Sequence, residues 1–161
     1  VGQLLGGKLN AALVRQHPRV IFDVKSMLQE VGFTEEIKQG FLFFLLCGKR
    51  PIDEVLNPNF TNQRVIFDSQ FSGMTNEEFT YEEFEKIRKE LVSMIQKSLT
   101  DSEKEFLLSF VSGNPNWKDF DYSRYPAIKW KQLNINKLKQ ENSSKFSESV
   151  RKLADLLNRN G

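Results

Sequence analysis

The stretch Thr34-Glu35-Glu36-Ile37-Lys38-Gln39-Gly40-Phe41-Leu42-Phe43-Phe44-Leu45-Leu46-Cys47-Gly48 decides the fold. Its threonine is an N-cap residue, and two glutamates stand in the first turn, where the helix dipole favours acids. From Phe41 to Cys47 every residue is apolar. A helix apolar on all sides is buried on all sides. This helix is therefore expected at the centre of the core, ended by Gly48.

Outward from it, the same helical period recurs. Towards the N-terminus, Leu5, Leu9, Ala12 and Leu13 make one stripe over Gln3 to Gln16. Pro18 then suits the first position of a helix that stops at Gly32. Its core face is Val20, Ile21, Val24, Met27, Leu28 and Val31. Gly6 and Gly7 lower helix propensity, which fits a close approach to the backbone or a fraying end.

Towards the C-terminus, Pro51 to Leu56 reads as one turn. Thr61 to Phe71 reads as helix with Val65, Ile66 and Phe67 inward, and Gly73 breaks the chain. Two capping boxes follow, Thr80 with Glu83 and Thr100 with Glu103. The first opens a helix to about Ser98. The second opens a helix that ends at Gly113. An aromatic loop runs to Tyr125 and is expected to pack down. Pro126 starts a helix through about Gln140, and a last one covers Ser144 to Asn160 on a stripe of Phe146, Val150, Leu153 and Leu157. Alternation of the strand kind is weak throughout. The expectation is an all-α, multi-helix bundle of roughly seven or eight helices, in a single helical domain over residues 1–161.

Composition bounds the function. The chain has 161 residues, 39% apolar, 14 of them Phe, and a net charge of only +2, so neither disorder nor a nucleic-acid partner follows from the totals. Charge is segregated, with nine acids against five bases from Asn76 to Glu105 and nine bases against four acids from Lys118 to Lys152. The basic last third is a solvated face or an RNA-facing one. One cysteine, Cys47, excludes an internal disulfide and suits a reducing, cytoplasmic setting. The longest apolar run is far short of the roughly 20 residues that span a bilayer, so no membrane partner is expected. No secretory leader is visible.

Metal and thiol chemistry lack ligand spacing, because the chain has one His and one Cys, far apart. Gly6-Gly7-Lys8 lacks the upstream glycine of a phosphate loop. Asp119-Phe120-Asp121 has the spacing of a Mg²⁺ pair but sits in a loop without the turn such pairs use. In Lys129-Trp130-Lys131 the tryptophan stands about 100° from each lysine on a helix, which makes it a packed anchor between two solvated cations. The best constellation is Lys8 with Arg15 on one helix face, followed by Arg19 and Asp23 four apart. Lysine as a point charge and arginine as a fork suit a triphosphate, and a carboxylate beside them suits orienting a hydroxyl. From chemistry alone the same spacing reads first as an ordinary surface with an Arg19–Asp23 pair.

Taken together, Gly7-Lys8-Leu9-Asn10-Ala11-Ala12-Leu13, Arg15-Gln16-His17-Pro18-Arg19 and Phe22-Asp23-Val24-Lys25 resemble the middle of the AbiEii/AbiGii toxin family of nucleotidyltransferases. The order of later pieces matches too: Arg50-Pro51, Leu56-Asn57-Pro58-Asn59, Phe71-Ser72-Gly73-Met74-Thr75, and Leu107-Leu108-Ser109-Phe110 with Gly113, Pro115 and Trp117. Tyr125-Pro126-Ala127-Ile128-Lys129-Trp130-Lys131-Gln132-Leu133-Asn134-Ile135 closes the series.

The resemblance implies a two-lobed toxin that transfers a nucleotide from an NTP, with Mg²⁺, to an acceptor such as a tRNA 3′ end. This chain would be its helical C-terminal lobe (32–161), with residues 1–31 bordering a missing N-terminal nucleotidyltransferase lobe that holds the Gly-Ser turn and metal-binding carboxylates. Alone it would be inactive and hold no cofactor. Lys8, Arg15 and Arg19 would bind nucleotide, and Asp23 with Lys8 would be catalytic; no residue here is a metal ligand. The family often has Asp after Arg19, where this chain has Val20. A catalytic acid at that place makes this member inactive, and one at Asp23 leaves it active. An inactive member would be a helical protein-binding module, docking a partner such as a cognate antitoxin.

Overall fold

The computed structural model describes residues 2–71 and 79–159. They are all-helical: α1 Gly2–Arg15, α2 Pro18–Val31, α3 Glu35–Cys47, α4 Ile52–Leu56, α5 Arg64–Ile66, a π-helical turn Phe67–Phe71, α6 Tyr81–Ser98, α7 Asp101–Val111, α8 Pro126–Glu141 and α9 Ser143–Asn158. No strand occurs among the described residues. The break expected at Gly73 lies outside them. Two compact units result, Val1–Phe44 with Pro58–Ile95, and Leu45–Asn57 with Gln96–Gly161.

In the first unit α1 crosses α3 at glycines. A Cβ on Gly40 would stand 2.6 Å from the Cα of Gln3, and one on Gly6 would stand 2.7 Å from the Ile37 carbonyl oxygen. Close approach, not fraying, is thus the reason for Gly6. Leu9, Ala12, Leu13, Ile37 and Phe41 are buried. Further along, rings of Phe22, Phe67, Phe79, Tyr81 and Phe84 gather at centroid separations of 5.3 to 6.2 Å. Such tilted pairs add to area burial.

α2 follows its sequence signals. Pro18 is its first residue, His17 caps it by accepting from the Arg19 N–H at 3.1 Å, and Gly32 ends it at a φ of 79°. That angle is open to glycine at no steric cost. The segment after Asn59 differs from expectation. Only Arg64–Ile66 is α-helical before the chain widens into the π-turn, and of the three residues expected inward Phe67 is buried, Ile66 is half-buried and Val65 is 80% exposed.

In the second unit the Thr100–Glu103 capping box is complete. The Glu103 N–H donates to the threonine Oγ1 at 3.1 Å, and the Thr100 N–H donates to the glutamate at 2.9 Å. The aromatic loop is packed, with Phe120 stacked on Phe106 at 4.7 Å and Trp117 at 5.6 Å from the same ring. Both α8 and α9 belong here and pack on each other. The apolar run of α3 is less enclosed than its composition suggests. Phe43, Phe44 and Cys47 are only half-buried.

Candidate functional site

The corner between α1 and α2 is built around Gln16, a non-glycine residue held at a φ of 54°. Left-handed backbone costs a residue with a Cβ of order 1 kcal/mol or more, so the surroundings must hold it there. They do so through its buried amide. Gln16 Nε2 donates to the Asn59 carbonyl at 2.8 Å, and its Oε1 accepts from the Thr61 N–H at 3.1 Å and from Arg88 Nη1 at 2.9 Å. Arg88 also donates to the Thr61 carbonyl at 2.6 Å. Its guanidinium lies over Phe84 at 4.7 Å and Phe60 at 5.0 Å. Burial pulls the Arg88 pKa below its ordinary value, against smaller opposing effects of Tyr81 and Glu85.

Of the four residues singled out from sequence, Arg15 and Arg19 flank this braced corner, whereas Lys8 stands about two turns back along α1 and Asp23 about one turn further along α2. Lys8 and Arg15 are exposed on α1, and Arg19 and Asp23 are exposed on α2. All four belong to the first unit. Among the described residues no hydrogen bond or ion pair joins their side chains to one another, so the Arg19–Asp23 pair allowed by the spacing is not formed. Three cations therefore face solvent uncompensated, with one carboxylate beside them in sequence. Val20, where the resemblance expects Asp, is half-buried on α2.

No family model, curated protein or solved structure matches this chain. What the corner does must therefore be argued from its own groups. No cluster of three or more His, Cys, Asp or Glu side chains suited to a metal occurs among the described residues. No helix of those residues is long and apolar enough to cross a membrane. In the Asp-x-Asp of the aromatic loop, Asp121 is engaged locally: it accepts from the Ser123 hydroxyl at 2.8 Å, and this bond lowers its pKa.

Arg88 has no role in the sequence pattern, and Lys131 figures there only as a solvated cation. Arg88 continues the stripe Phe84, Leu91, Ile95, and Lys131 continues the stripe Ile128, Ile135, Leu138. A cation inside an apolar stripe is the signal that marks both. The Lys131 Nζ donates to three main-chain carbonyls, Leu45 at 2.9 Å, Gly48 at 2.8 Å and Arg50 at 2.9 Å. Burial draws its pKa down to about 8, and Cys47 beside it draws weakly the other way. Burial likewise raises the Cys47 thiol. The expectation for Lys129-Trp130-Lys131 holds for exposed Lys129 and is reversed for the other two. Lys131 is committed inward, and Trp130 is 62% exposed.

Proposed function

We propose that this chain is the helical C-terminal lobe of an AbiEii/AbiGii-like nucleotidyltransferase toxin, whose complete protein moves a nucleotide from an NTP to an acceptor such as tRNA. The observation that carries the reading is on the two helices that meet at the α1–α2 corner: Lys8, Arg15 and Arg19 are exposed and unpaired on them, and the corner itself is braced from within. Unpaired cations on a rigid support bind phosphate oxygens without first breaking other contacts. The all-helical fold agrees with the lobe that the resemblance implies.

In this reading Lys8 takes a phosphate as a point charge, Arg15 and Arg19 add forked donors, and Asp23 orients the acceptor hydroxyl. Asp23 alone does not make a Mg²⁺ site, because that ion needs several oxygen ligands in near-octahedral array. No step is therefore derived through the metal from this chain. The basic face from Lys118 to Lys152 would guide an RNA acceptor.

The test is incubation of the complete protein with labelled NTPs, Mg²⁺ and total tRNA. Lys8→Ala, which changes an exposed side chain, is expected to lower labelling about 100-fold with unfolding unchanged. Unchanged labelling removes Lys8 from the mechanism. A second reading, an inactive protein-binding module that docks a cognate antitoxin, is motivated by Val20 at the place where the family often has Asp. It predicts no labelling and no rise in melting temperature with any NTP.

A further inference from the structure

The second unit contains a cavity of about 440 Å³, between the end of α3, α4, α8 and α9. Small-molecule sites run from roughly 300 to 1,000 Å³ and combine apolar walls with a few polar groups. Here the walls are Ile52, Val111, Ile135, Leu138 and Phe146, and exposed Trp130 also lines it.

The polar groups decide what would bind. Lys131 lines the cavity but spends all three N–H groups on carbonyls, so it has no donor left for a ligand. Lys152, the cation that acts on Asp53 through space, is paired with Glu148 at 3.5 Å. Lys49 stands exposed. Asn134 and Ser149 line the cavity as neutral groups, and the carboxylate among the lining residues is Asp53, half-buried, its pKa raised chiefly by burial, against a lowering backbone hydrogen bond, and raised further by Glu54. Among the described residues no cation lies within ion-pair distance of Asp53. A partly desolvated carboxylate with no cation at ion-pair distance, in an apolar cavity, is complementary to a cation carried on an apolar body.

We propose that this cavity binds a small organic cation: a primary ammonium on an apolar, ring-sized body, the ammonium on Asp53 and the body against Trp130, Ile135 and Phe146. Trp130 has a further use, since an indole face attracts an ammonium. The proposal is independent of the nucleotidyltransferase reading.

The experiment titrates the chain with three probes that share one ring: 2-phenylethylammonium, 2-phenylethanol and 3-phenylpropionate. Binding is read from the Trp130 indole N–H resonance. The amine is expected to bind about tenfold more tightly than the alcohol, and the acid more weakly than either. Asp53→Asn, nearly the same shape, is expected to bring the amine down to the alcohol's affinity and leave the alcohol unchanged. The alcohol thus reports that the cavity is intact in the variant. Equal or tighter binding of the acid, an unchanged amine affinity in Asp53→Asn, or no shift with any probe overturns the proposal.

Discussion

Gly6→Ala is expected to destabilise the protein by about 3 kcal/mol, seen as a fall of roughly 6–12 °C in the melting temperature. The new methyl group would meet the backbone of α3: the Phe41 nitrogen, the Gly40 carbonyl carbon and the Ile37 carbonyl oxygen. Main-chain atoms have no rotamers, so the two helices must move apart and open the packing of buried Leu9 and Phe41. Alanine's better helix propensity returns only about 1 kcal/mol. Gly7→Ala is the control. Its methyl would meet ring atoms of Phe44 at 2.9 to 3.2 Å. Phe44 is half-buried and its ring can turn, so propensity offsets the contact and the melting temperature should move little. Equal effects of the two substitutions would show that the crossing tolerates a methyl and that the glycines serve something else.

Lys131→Met is expected to cost about 2–3 kcal/mol, measured by denaturant unfolding. The last carbonyls of a helix have no partner within it. At the end of α3 one ammonium satisfies one of them, from Leu45, together with the Gly48 and Arg50 carbonyls of the segment that follows. Methionine keeps the stem and removes every donor. Lys131→Arg keeps the charge but replaces a tripod with a planar fork, so it should recover only part of the loss. A pH series checks the electrostatics. The folded-state pKa is about 8, below the ordinary 10.5. Between these values the unfolded chain holds more protons than the folded one, so this site's contribution to stability rises with pH. It is complete above 10.5 and lost as pH falls through about 8. The stability difference between wild type and Lys131→Met should therefore widen by about 1–2 kcal/mol from pH 6.5 to 9.5. A constant difference would mean that the ammonium titrates as it does in water.

The helices were legible because their signals are local. Pro18 and Gly32 bracket α2, and Thr100 with Glu103 opens α7. Periodicity also found the buried stripe of Leu9, Ala12 and Leu13. What it could not give is which apolar residues find a partner. Val65 and Leu133 have the right character for a core and are 80% and 61% exposed. Local pattern describes one helix, whereas burial depends on what faces it. Polar residues show the converse. Lys8, Arg15, Arg19 and Asp23 were read as a site because they leave the apolar face, and they are exposed, as that reasoning implies. Exposure does not show what they bind. Arg88 and Lys131 lie on apolar faces; Lys131 holds main-chain carbonyls, and Arg88 holds one together with the Gln16 amide, and main-chain acceptors are not displayed by side-chain identities.

Gln16 carries a consequence for how this chain can vary over evolution. Its amide oxygen is shared by the Arg88 guanidinium and the Thr61 N–H, and its own backbone angle is held by that engagement. A lineage that loses the arginine leaves the amide in an apolar corner with one acceptor bond fewer and the same unfavourable φ. Glycine at position 16 then becomes the easier solution. One that keeps the arginine but loses the glutamine strands a buried cation. The two positions should therefore be inherited as a pair. Across distant relatives whose helices have drifted in length, that pair would fix the alignment of α1 against α6 where hydrophobic pattern alone allows several registers.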